Sequence, residues 1–98
     1  MEELRFEWDS KKSRENRRDH KVSFEEAETA FADEDGMLMA DPDHSQGEDR
    51  FILLGLSAAL RLLVVCHTYR REDEVIRIIS ARKADRSERD HYSRRWKR

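Results

Sequence analysis

Three apolar runs crowd the second half of this chain: FILLGLS from Phe51, RLLVVCHTY from Arg61 and VIRIISA from Val75. They are rich in β-branched and bulky residues and are separated by short links, which predicts antiparallel neighbouring strands. The first two runs together, residues 51–66, fall short of the roughly 18–20 apolar residues of a membrane-crossing helix. They would also place Arg61 deep in the apolar zone, so no membrane span is expected. With 98 residues, a single domain over 1–98 with one modest core is expected. Charged residues make up 43% of the chain, so little apolar material is left to cover a sheet on both faces.

The first half reads as helices. Leu4 to Trp8, LRFEW, alternates apolar and polar residues as a short half-buried strand does. Asp9 follows as N-cap of a helix, SKKSRENRRDHK, that has almost no apolar face and so stays exposed or lies on a polar partner. In VSFEEAETAFAD, Ser23 and Glu26 make a capping box and Val22 and Ala27 a hydrophobic staple. Phe24, Ala27 and Phe31 then supply a buried stripe. GMLMA from Gly36 is a further short strand, and DPDHSQGEDR is a polar connection. ADRSERDHYSRRWKR closes the chain as a helix starting at Asp85 or Ser87, with Ala84, Tyr92 and Trp96 as sparse apolar positions. The fold class is α+β: N-terminal helices, an antiparallel sheet of about four strands and a C-terminal helix, with one sheet face covered and one open.

Charge is distributed unevenly. Residues 11–21 carry six Lys/Arg against two acids, residues 24–50 ten acids against one Arg, and residues 82–98 eight Lys/Arg against three acids. Solvated helix faces account for such runs, and so does an anion-binding surface built where two basic segments meet. The start MEELRFEWDS is acidic and lacks an apolar core, so no secretory signal is expected. Cys66 is the single cysteine and cannot form an internal disulfide, which fits a cytoplasmic protein.

Period-two alternation puts Val65, His67 and Tyr69 on one face of their strand and Val75, Arg77 and Ile79 on one face of the next. If Tyr69 lies opposite Val75, His67 lies opposite Arg77; a one-residue slip breaks the pair. An arginine at mid-strand commonly packs its stem and leaves its head in solvent. Beside an imidazole it also suits phosphate chemistry, one group stabilising charge while the other moves a proton. The other histidines have plainer readings. His20 sits where a cation favours the helix C-terminus, His44 lies in a polar turn without ligand spacing, and His91 sits among charges on the last helix. Trp8 is either a core anchor or a stacking platform. Cys66, alternating with valines, reads as a small buried residue.

Three segments carry a likeness to a known family: FEWDSKKSRENRRDHKVSFEEAETAFAD, DPDHSQGEDRFILLG, and RLLVVCHTYR with VIRIISARKA, followed by a helix containing Tyr92. In order and spacing the chain resembles the BrnT family of bacterial type II toxins along nearly its whole length. The resemblance implies a RelE-like fold and a metal-independent ribonuclease that blocks translation, with no cofactor. It implies a BrnA-type ribbon-helix-helix antitoxin as partner, promoter DNA bound only through the antitoxin complex, and it allows a dimer within that complex. RNA would be engaged by the open sheet face and nearby helices. The residues expected there are Arg77 and Arg82 as phosphate stabilisers and His67 as base or acid, with Lys12, His20 and Tyr92 from flanking helices binding RNA. A degenerate toxin that only binds and stabilises its antitoxin, and a plain nucleic-acid-binding module, are the rival readings. Two local features depart from the family pattern: LSAAL has no glycine for a tight turn, and the tail SRRWKR is strongly basic.

Overall fold

The computed structural model describes residues 4–41, 49–72 and 74–94. The elements are β1 (Arg5–Glu7), α1 (Ser10–His20), α2 (Phe24–Thr29) running into a 3-10 turn (Ala30–Ala32), β2 (Met37–Ala40), β3 (Phe51–Leu56), β4 (Leu62–Arg70), β5 (Val75–Lys83) and α3 (Arg86–Ser93). His44 and Trp96, with the last residues of the basic tail, lie outside the described residues.

The strands form one sheet in the order β1-β5-β4-β3-β2. The expected meander β2-β3-β4-β5 is antiparallel throughout, but the sheet has a fifth strand. β1 pairs in parallel with β5, Phe6 beside Ile76 and Glu7 beside Arg77, so the sheet is mixed. A three-residue strand can join in this way because the chain crosses over through α1 and α2 before the meander begins.

One sheet face lies under the N-terminal helices. Val22, Phe24, Ala27 and Ala30 pack on Leu53, Leu63, Val65, Ile78 and Ala81, with Trp8 stacking edge-on against Phe24 at 5.9 Å. The contact is close enough at Gly55 that a Cβ there would lie 2.9 Å from the Ala30 carbonyl oxygen. The other face is not wholly open. Leu54 and Val64 meet Ala84 and Tyr92, so α3 covers part of it.

Each helix begins on a side chain that accepts its orphan N–H groups. Asp9 accepts from Lys11 and Lys12, and Ser23 accepts from Glu26. The capping box expected at Ser23 is only half formed: the Glu26 carboxylate turns away to the Arg61 guanidinium and the Ser57 hydroxyl. The complete box sits on α3, where Asp85 accepts from the Glu88 N–H and Glu88 accepts from the Asp85 N–H, each at 2.8 Å.

Two side chains finish the sheet where strands stop short. β1 pairs with β5 only through Arg77, and further along that edge the buried Asn16 of α1 takes over. Its amide accepts from the Ala81 N–H at 3.0 Å and donates to the Ala81 carbonyl at 2.8 Å, as a neighbouring strand would, and also donates to the Val22 carbonyl. On the opposite side β2 ends at the Leu54 register, and the Asp33 carboxylate accepts the Leu56 N–H at 2.8 Å. The β3–β4 connection manages without glycine because Leu60 adopts φ 62°, a left-handed conformation, with its side chain in solvent.

Candidate nucleic-acid interface

The register of β4 and β5 decides which side chains share a face. Arg70 pairs with Val75, Tyr69 with Ile76 and Thr68 with Arg77. The β4–β5 turn is therefore one residue tighter than the expectation required, with Arg71 and Glu72 at positive φ. The expected His67–Arg77 pair does not form. An irregularity at Cys66/His67 then shifts the register by one further residue, setting Cys66 opposite Ser80 and Val64 opposite Arg82.

His67 points into the helix-covered face and is fully buried. Its ring packs edge-on against Phe31 at 4.8 Å and Tyr69 at 5.3 Å, and Nδ1 lies 3.0 Å from the Val65 carbonyl oxygen. Burial pushes its pKa below the usual imidazole value, only partly opposed by that hydrogen bond. A sealed imidazole cannot reach a ribose-phosphate, so the expected catalytic place of His67 is corrected to a core position. Tyr92 is corrected likewise: its ring is buried between α3 and the sheet, and its hydroxyl donates to Asp33 at 2.6 Å. Asp33 thus ties together the helix layer, the end of β3 and α3.

Arg77 and Arg82 do lie on the far face, one beside Thr68 and the other beside Val64. Strand rise separates them by roughly 15 Å. Each is held by a carboxylate. Arg77 Nη1 is 2.7 Å from Glu7, which also lies 3.7 Å from Arg70. Arg82 meets Glu88 through two parallel contacts of 2.8 Å, a bidentate fork that raises the arginine's pKa and holds the Glu88 carboxyl below its usual range. At the Arg77 end stands the start of α1: Asp9, whose carboxyl is lowered first by the Lys12 and Lys11 N–H groups, also feels Lys12 and Arg77 as charges. Lys12 and His20 are both exposed on α1, so the structure leaves them accessible.

Between α3 and the uncovered part of the sheet runs a cleft of about 420 Å³. Ile52, Leu54 and Val64 form its floor with Met39 at the rim, and Ser87, Glu88, His91 and Arg94 form its wall. Sequence reading took His91 as one charge among many on the last helix and did not single out Glu88. The available signal was their spacing: three residues apart on a helix whose N-cap is Asp85 sets both on one face. Cys66 is half-buried, and burial pushes its thiol pKa up, which suits a packing residue. Among the described residues, no three His, Cys, Asp or Glu side chains cluster as metal ligands. No helix among them is long and apolar enough to cross a membrane.

The geometry defines a small α+β protein that carries Arg77 and Arg82 on one sheet face, with its last helix packed beside part of that face. The chain belongs to the BrnT family: the family model described as the ribonuclease toxin BrnT of a type II toxin–antitoxin system matches residues 8–88. Its fold is similar to the crystal structure of the Brucella abortus ribonuclease toxin BrnT, with a TM-score of 0.62 and 20% sequence identity over 86% of this chain and 100% of that one. A comparison with curated proteins found no match.

Proposed function

We propose that this single-domain chain is the toxin of a type II toxin–antitoxin pair, a metal-independent endoribonuclease that blocks translation. The observation that carries the reading is the family match over residues 8–88, joined to a sheet face that presents Arg77 and Arg82 and to a neighbouring cleft walled by Arg94 at the end of α3. Guanidinium groups neutralise backbone phosphates and stabilise the charge of a pentacoordinate phosphorus without a metal ion. Lys12 and His20, exposed on helix α1, supply further phosphate contacts in this reading, and the apolar cleft floor suits the flat face of a base. A BrnA-like ribbon-helix-helix antitoxin covers this surface in the complex, and promoter DNA is bound through that antitoxin.

Induction in bacteria is the test. Growth stops and cellular RNA is cut when the chain is made alone, growth resumes when the antitoxin is supplied, and the purified protein cuts RNA in EDTA. RNA that stays whole at every protein concentration refutes the reading. A second reading, a non-catalytic partner that stabilises its antitoxin, is favoured by the carboxylates closed on Arg77 and Arg82. It calls for tight antitoxin binding without RNA loss.

A further inference from the structure

The geometry points to a catalytic carboxylate–imidazole pair on α3, Glu88 and His91, that works with Arg82 of β5 on a ribose-phosphate held in the cleft. This inference rests on the ribonuclease reading and assigns the reacting groups within it.

Three observations carry it. Glu88 and His91 stand three residues apart on one helix and both face the cleft, a spacing of about 5–6 Å between Cβ atoms that can bracket one phosphate. Among the described residues His67 is sealed, whereas His91 lies exposed on the cleft wall. Arg82 is placed by Glu88 but not exhausted by it. A guanidinium has five N–H donors; the fork to Glu88 engages Nη1 and Nη2 once each and Nη1 also donates to the Lys83 carbonyl at 3.4 Å, which among the described residues leaves Nε–H and one Nη2–H for a phosphate oxygen.

The lone pairs of Glu88 are similarly arranged. Among the described residues, Oε1 accepts from Arg82 and from the Asp85 N–H, while Oε2 accepts from Arg82 and has a second lone pair. That oxygen is the base. It takes the proton of a ribose 2′-hydroxyl, and the 2′-oxygen attacks the adjacent phosphorus. Arg82 and Arg94 stabilise the added negative charge, and the bond from phosphorus to the 5′-oxygen breaks. His91 gives a proton to that leaving oxygen. The products are a 2′,3′-cyclic phosphate and a 5′-hydroxyl, and Glu88 and His91 return to their starting forms by exchange with water.

The test uses the purified full chain in EDTA on two versions of one RNA oligonucleotide. One is unmodified, and one carries sulfur in place of the bridging 5′-oxygen at the cut linkage, a leaving group that needs no proton. Glu88→Gln keeps the N3 cap and is expected to slow cutting of both RNAs by about a hundredfold or more. His91→Gln is expected to slow the oxygen linkage by a similar factor and to cut the sulfur linkage at nearly the wild-type rate. That second comparison uses one protein on two substrates, so it is independent of any change in folding. If wild type cuts but Glu88→Gln and His91→Gln stay within about threefold of it, this assignment fails and the ribonuclease reading stands. Equal loss by His91→Gln on both linkages removes His91 as the acid. Wild type that cuts neither RNA overturns both readings.

Discussion

Replacing His67 separates a core histidine from a catalytic one. The ring is fully buried among Phe31, Phe51 and Tyr69, so His67→Ala deletes a side chain whose contacts nothing else can supply. Large-to-small changes at such sites cost on the order of 3 kcal/mol. At a urea slope of roughly 1.2 kcal/mol per molar, the midpoint should fall by about 2.5 M. His67→Gln keeps most of the volume and can still donate to the Val65 carbonyl, but it cannot titrate. The lowered native pKa fixes the pH signature. Above the ordinary value of 6.5 the ring is neutral in both states and costs nothing. Below it the unfolded chain takes up a proton that the native core refuses, so stability falls as pH drops from 6.5 toward the native pKa. The limiting slope is about 1.4 kcal/mol per pH unit. Urea titrations between pH 5 and 7, followed by tryptophan fluorescence, should show that slope in wild type and its loss in His67→Gln. An unchanged slope in His67→Gln, or His67→Ala as stable as wild type, would refute the reasoning.

Asn16→Ala leaves the Ala81 N–H and carbonyl without their partner in a buried place, and should lower stability by about 3 kcal/mol in the same titration. Tyr92→Phe leaves the ring packed but takes one donor from Asp33, so thermal unfolding should register a loss of about 1–2 kcal/mol, with RNA binding unchanged. The Arg61 fork, with burial opposing it, holds the Glu26 carboxyl below its ordinary value of 4.5. The stability it confers is complete above that pH and is lost as pH falls through the native value; Glu26→Gln should flatten the acid limb of a stability–pH curve.

The elements were legible because their signals are local. Asp9, Ser23 and Asp85 begin the helices where cap chemistry places them, and the β-branched runs form β3, β4 and β5. What escaped depends on distance. β1 joins β5 across 70 residues of sequence, a pairing no local pattern encodes. The His67–Arg77 expectation turned on one residue of turn length: the tighter loop at Arg71 and Glu72 sends His67 into the core and Arg77 to the opposite face. Arg77 and Arg82 lie on the far face, and the carboxylates that hold them were not foreseen. His91 looked like one charge among many because a helix without apolar periodicity gives no sign of which side faces a cleft.

The chemistry at the cut ends tests the central claim most directly. RNA incubated with the purified chain in EDTA, and then analysed by mass spectrometry, should yield fragments ending in 2′,3′-cyclic phosphate and beginning with a 5′-hydroxyl. Fragments with 5′-phosphate and 3′-hydroxyl ends, or RNA left intact, would contradict an arginine-lined sheet face that cleaves RNA through its own 2′-hydroxyl.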